Sequence, residues 1–456
     1  MRIFLKIVVV LAALSLIAVL GLAAWLTAAP PALIRVASGY TAKIVCSNVF
    51  VAGRKPDAVL RVDVQAPGHP VLKLMRVEVD QERRTVEAAL LGLFGKSVAV
   101  ARDGLGCASV PDGQVARAAS IALPEPAAAA RPDALWPEGN RVELSQSPDL
   151  MAILNDPAMT GPDMRALVVV ENGRIVGERY ANGFSAETPL LGWSMTKTVT
   201  AALVGTLVAD GRLALERKAL LPAWEKDGRG AISIAALLAM QSGLAFNEDY
   251  GDVTDVTRML YLEPDMAAFA AAKPLVGKVG ATWSYSSGTS QILSRLWQQA
   301  FDDPQAALAW PRKALFGPLG MASAVLETDE AGTFVGSSYL YATARDWARF
   351  GQFLLQDGMW DGARILPAGF AGMMREPVAA SNGDYAKGSL WLRDDNARPG
   401  SEPPLPTDTF WLLGHDGQSI AVVPSRRLVV VRLGLTPSRL GYSATPLVAS
   451  LAASID

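Results

Sequence analysis

Residues Ile7 to Leu26 run for 20 positions without a charge, interrupted only by Ser15 and Gly21. At helical rise such a run spans roughly 30 Å, the thickness of a bilayer core. A cleavable signal peptide has a shorter apolar region, about 7–15 residues, followed by a small-residue cleavage site. Here Pro30 and Pro31 follow Ala28 and Ala29, an awkward place to cut. The run favours an uncleaved transmembrane anchor over residues 1–29, with a signal peptide as the alternative. In either case Arg2 and Lys6 stay inside and the remaining chain is exported. Membrane lipid is the expected partner of this helix.

Composition removes several function classes. Among 456 residues the net charge is −2, with no basic block, so nucleic-acid binding has no electrostatic footprint. Only two histidines, His69 and His415, and two cysteines, Cys46 and Cys107, are present. A His/Cys zinc site would need nearly all of them together, so no metal and no cofactor is expected. Export gives the cysteines a meaning: in an oxidising compartment Cys46 and Cys107 are expected to form a disulfide. Two buried free thiols are the alternative.

Residues 30–121 read as a small β-rich accessory domain. Lys43 to Val51, Leu72 to Asp80, Thr85 to Leu91 and Lys96 to Arg102 carry β-branched or alternating patterns with turn signals between. His69 reads as a loop residue. Residues 122–135, rich in proline and alanine, read as a linker. The main domain is expected over 136–456. Within it, Asn172-Gly173 joins Ala166–Glu171 to Arg174–Tyr180, a strong hairpin signal. Gln418–Val423 and Leu428–Leu433 form a second hairpin. Helices are expected over Ser233–Gln241, Gln291–Phe301, Thr343–Leu355 and Pro446–Ile455. Trp347, Phe350, Phe353 and Leu354 make one core-facing stripe. Strands at both ends with helices between and after imply an α+β fold: an antiparallel sheet flanked by helices and split by a helical insertion.

Ser194 and Lys197 stand three residues apart, ahead of the apolar, proline-free run Ala201–Val208. On a helix, positions i and i+3 share a face, so the amine reaches the hydroxyl. Free N–H groups at the helix start stabilise negative charge there. A serine so placed is a candidate nucleophile. Ser-x-x-Lys arises by chance about once in a chain of this size, and no other serine here has lysine three residues on. With no Gly-x-Ser-x-Gly elbow and only two histidines, lysine is the better candidate base.

Two other stretches supply partners. Trp283-Ser284-Tyr285-Ser286-Ser287-Gly288 enters a helix, and a phenol there can relay a proton to a leaving group. The plainer alternative is a Ser/Gly turn with a packed aromatic. Gly414-His415-Asp416-Gly417-Gln418 opens a strand. Gly417 would let a substrate carbonyl lie along the strand edge, with the Gln418 and Ser194 N–H groups as an oxyanion hole. The plainer alternative is a polar turn in which His415 is structural.

Taken in order, Ser-x-x-Lys, Tyr-x-Ser and His-x-Gly resemble the motifs of the serine penicillin-recognising hydrolases. That superfamily holds β-lactamases, D-alanyl-D-alanine peptidases and related esterases and amidases. The resemblance covers roughly Trp136 to Asp456 and is closest to the 6-aminohexanoate-dimer hydrolase group and class C β-lactamase-like proteins. Leu238–Leu244, Phe316–Met321 and Ala344–Gly351 support it. It implies a β-lactamase/transpeptidase-like fold with Ser194 as the acylated nucleophile, Lys197 its base and Tyr285 the proton relay. His415 and Gly417 take the place of the third motif, and Tyr250 is a candidate substrate contact on a loop.

The chain departs from the β-lactamase pattern twice. Ser287 stands where asparagine is usual, and His415 where lysine supplies a point charge for a substrate carboxylate. Linear amides or esters are therefore the expected substrates, small or peptide-like. A D-alanyl-D-alanine carboxypeptidase or β-lactamase-type enzyme is the alternative within the superfamily. An inactive, membrane-tethered cell-wall-binding module is the alternative outside enzymology. The resemblance places the anchor in a bacterial inner membrane and the catalytic domain in the periplasm, tethered or secreted after cleavage.

Overall fold

The computed structural model describes residues 1–123, 131–394 and 404–454. Helix α1, Arg2–Ala28, has no buried residue, and only Ala23 and Leu26 are partly covered. Its mean hydropathy of 2.9 makes it long and apolar enough to cross a membrane, a property it shares with signal sequences. After Pro30-Pro31 comes α2, Ala32–Phe50, most of whose residues are buried.

The strand expected at Lys43–Val51 is thus the second half of a helix, and this is a correction. Ile44, Val45 and Val49 are β-branched and imitate a strand, but burial on all sides erased the polar face that would have revealed a 3.6-residue period. A four-stranded antiparallel meander wraps α2: β1 Met75–Asp80, β2 Thr85–Leu90, β3 Phe94–Arg102 and β4 Gly106–Ser109. The strand expected from Leu72 begins at Met75, because Pro70–Leu74 closes into a short helical turn. His69 caps that turn, its Nδ1 accepting from the Val71 N–H at 3.2 Å. Cys46 on α2 and Cys107 on β4 are joined by a disulfide.

This segment shares one apolar core with the rest of the molecule. Its central polar tie is Glu327, fully buried. The carboxylate accepts from Lys43 Nζ, from Ser47 Oγ at 2.8 Å and from the Cys107 N–H at 2.6 Å. Most of the linker expected over 122–135, residues 124–130, lies outside the described residues.

The main sheet carries β5 Met164–Glu171, β6 Arg174–Tyr180, β7 Tyr385–Ala386, β8 Leu390–Trp391, β9 Phe410–Gly414, β10 Gln418–Val423 and β11 Leu428–Gly434. Among the described residues it has seven antiparallel strands in the order β7-β8-β9-β10-β11-β5-β6, so the two expected hairpins join through β11 and β5. Both faces are covered, as strict alternation records. Val168, Val170, Ile420, Val422, Val429 and Val431 face one core, while Leu167, Val169, Ala421, Val423, Leu428 and Val430 face the other. The second core is closed by α3, Pro148–Asn155, and by the C-terminal helix Thr445–Ser454. On the first face lie α4, Met195–Ala209, with α5, Ser287–Gln298, packed on it, and α6, Ala344–Leu355, whose Trp347, Phe350, Phe353 and Leu354 are buried as their spacing implies.

Candidate active site

The polypeptide approaches Ser194 through a tight bend. Trp193 has φ = 48°, in the left-handed region that costs a bulky residue roughly 1–2 kcal/mol. Backbone strain of this kind collects at functional sites. The bend lies directly against the end of β9: a Cβ on Gly414 would sit 2.2 Å from the Gly192 carbonyl oxygen, so only glycine fits there. Ser194 is the N-cap of α4, and Lys197 lies one turn inside, pointing back.

Lys197 is 2% exposed. Its Nζ donates to Ser194 Oγ, Ser287 Oγ and the Ser337 carbonyl, each at 3.0 Å. Burial lowers its pKa to about 8, against the opposing negative charge of Glu248. A lysine of this kind supplies a neutral amine at modestly alkaline pH.

Tyr285 precedes α5. Its ring centroid is 4.8 Å from Lys197 Nζ, and it packs against Tyr385 at 5.8 Å and Trp391 at 5.3 Å. Burial pushes the phenol well above its ordinary pKa, and hydrogen bonding with Ser194 opposes this. Tyr285 therefore carries its proton at neutral pH.

On the other side of Ser194, Tyr250 stacks on His415 with centroids 4.7 Å apart. Trp193 meets both rings edge-on, at 6.3 Å and 5.5 Å. Gly417 belongs to the turn before β10, held by Arg432 Nη1 donating to its carbonyl at 2.9 Å. The Gln418 side chain is committed to the carbonyls of His415, Asp416 and Gly434. What Gln418 offers a ligand is therefore its main chain.

Ser194, Tyr250, Tyr285, His415, Gly417 and Gln418 line one cleft of about 370 Å³, with Lys197 and Ser287 beneath it. Sequence reasoning missed Glu248. Its carboxylate accepts from the Ser287 N–H at 2.7 Å and from the Ser287 hydroxyl, and burial raises its pKa. No motif marks this residue; the only cue was its place two positions before Tyr250. The cleft also includes Asp394 and Asp416, and no lysine or arginine lines it among the described residues.

The fold has known counterparts. The chain is 23% identical over 301 residues to the 6-aminohexanoate-dimer hydrolase of Paenarthrobacter ureafaciens, covering 60% of this chain and 72% of that one. A solved structure of a candidate 6-aminohexanoate-dimer hydrolase from Bacillus anthracis superposes with a TM-score of 0.55 at 22% identity, covering 72% of this chain and 87% of that one. A β-lactamase candidate from Bacteroides dorei gives 0.53 at 20% identity, covering 67% and 97%. The Beta-lactamase family profile matches residues 161–448, which take in every member of the cleft from Ser194 to Gln418, and the chain belongs to that family.

Proposed function

We propose that this protein is a membrane-tethered serine hydrolase that cleaves linear amides or esters through an acyl-enzyme on Ser194, with its catalytic domain on the periplasmic side. The observation that carries this reading is the contact between Lys197 Nζ and Ser194 Oγ at 3.0 Å, in a setting that lowers the amine pKa to about 8.

Neutral Lys197 takes the Ser194 proton as Oγ attacks the substrate carbonyl. The oxyanion is held by the main-chain N–H groups of Ser194 and Gln418. The tetrahedral adduct then expels the alcohol or amine, which receives a proton through Tyr285, replaced in turn from the Lys197 ammonium. A positioned proton donor of this kind is worth about 10²–10⁴ in rate. Water attacks the acyl-serine by the reverse proton path, releasing a carboxylic acid and restoring Ser194. Ser287 and Glu248 hold Lys197 in place, and Tyr250 and His415 contact the substrate.

The lining chemistry favours this over a β-lactamase or D-alanyl carboxypeptidase. Three carboxylates border the cleft, and no lysine or arginine among the described residues stands ready for a substrate carboxylate. Intact-mass acylation and turnover against a β-lactam, a D-alanyl peptide, a short ester and a linear ω-amino amide separate the readings. The ester and ω-amino amide should acylate and turn over. Release of D-alanine or acylation by the β-lactam alone would move the assignment, and inertness towards all four would make the protein a binding module.

A further inference from the structure

The cleft at Ser194 does not end at the Tyr250–His415 stack. A second cavity of about 850 Å³ shares Glu248, Tyr250, His415 and Asp416 with it and extends to the membrane-proximal segment. Its far wall is α2, through Leu33, Val36, Ala37 and Tyr40, faced by Leu72 and Tyr261. This volume suits a small-molecule site; the wall formed by α2, Leu72 and Tyr261 is apolar, while Glu248, Asp249, Asp252, Asp416, Lys73 and Arg439 also line the cavity. Nothing in the acyl-transfer steps above uses it.

We propose that this cavity takes the acyl chain of an amphiphilic ester or amide delivered from the bilayer, whose carbonyl then lies at Ser194. The inference rests on the hydrolase reading of Ser194 and adds the substrate class. Two aromatic groups flank the nucleophile, Tyr285 with Tyr385 and Trp391, and Tyr250 with His415 and Trp193. With Tyr285 serving the leaving group, the acyl side points across Tyr250 and His415, into the second cavity. Hydrolysis of the chain-bearing substrate then gives a fatty acid and an alcohol or amine, water being the only co-reactant.

The delivery route is set by where the cavity opens. Helix α1 ends at Ala28, and Leu33 is on the cavity wall only five residues later. The turn Pro70–Leu74 points Leu72 inward, 7% exposed, and leaves Leu74 outward, 47% exposed. The Leu91 N–H donates to the Leu74 carbonyl at 2.9 Å. Leu91 and Leu93, at the β2–β3 turn, are 52% and 68% exposed. Gly95, just beyond, lies against Pro30 and Ile34 at the base of α1. Exposed leucines beside a membrane-crossing helix, with the exposed Lys73 and Arg76 next to them, match an acyl–headgroup boundary.

The test uses the full-length protein in vesicles, with p-nitrophenyl acetate and decanoate as probes. Each buried methylene adds about fourfold in affinity, so the decanoate-to-acetate ratio of kcat/KM should exceed about tenfold. Ala37→Trp, which fills the cavity, and Leu33→Asp, which charges its mouth, should both collapse that ratio. A folding defect lowers both esters together and leaves the ratio unchanged. Decanoate placed in the same vesicles as the protein should turn over faster than in separate ones. A flat chain-length profile with acetate still acylating Ser194 overturns the acyl-chain site alone. Chain preference for dissolved decanoate without a vesicle advantage overturns delivery from the bilayer. No acylation by either ester brings down the hydrolase reading itself.

Discussion

Two lysines in this molecule are almost equally buried, Lys43 at 1% exposed and Lys197 at 2%. Burial pushes both towards the neutral form. They differ in what they touch. Lys43 meets the Glu327 carboxylate directly and lies 3.9 Å over the Tyr339 ring. Lys197 meets two hydroxyls and a carbonyl, with the Glu248 charge acting across Ser287. A carboxylate in contact makes Lys43 a structural cation that locks α2 to the hydrolase core. Hydroxyls and a carbonyl leave Lys197 able to trade a proton. Burial alone does not make a lysine a base; the partner decides.

Substitutions sharpen this contrast. The largest effect expected is on catalysis: Lys197→Met should lower acylation of Ser194 by about 10²–10⁴ while the melting temperature holds or rises, since a buried amine is replaced by an apolar chain. Lys43→Met should do the opposite. It strands Glu327 without its cation, costing about 3–5 kcal/mol in unfolding free energy, with Ser194 still acylated in the protein that folds. Adding Glu327→Gln to Lys43→Met should recover much of that loss. If Lys43→Met instead abolished acylation at unchanged stability, the assignment of roles would be reversed.

The disulfide tests the same lock from the covalent side. Cys46 and Cys107 close a loop of 61 residues, for which chain entropy allows about 4 kcal/mol. Reduction should lower the melting temperature without removing the nucleophile. The pH profile tests the other lysine. Neutral amine is the active form, so acylation should fall about tenfold per pH unit below the Lys197 pKa of about 8 and level off above it. In Lys197→Met that limb should disappear.

The sequence made the hydrolase half legible because its signals are local. Asn172-Gly173 marks the β5–β6 hairpin, the Trp347–Leu354 stripe marks α6, and Ser194 and Lys197 meet because a single helix turn carries both. Tyr285 and His415 stood out through motif order and Tyr250 through the family resemblance alone, and loops from distant parts of the chain bring the three to one cleft. The N-terminal segment was misread at α2, where uniform burial left no periodicity to find. Glu248 and Glu327 were invisible because each acts through partners distant in the chain, Ser287 for one and Lys43 for the other.

The central claim is that Ser194 is the acylated nucleophile. Labelling the full-length protein with a fluorophosphonate and mapping the adduct by mass spectrometry tests it most directly. One adduct, on Ser194, and none in Ser194→Ala is the expected result. An adduct that persists in Ser194→Ala, or that maps to another residue in the unsubstituted protein, would contradict it.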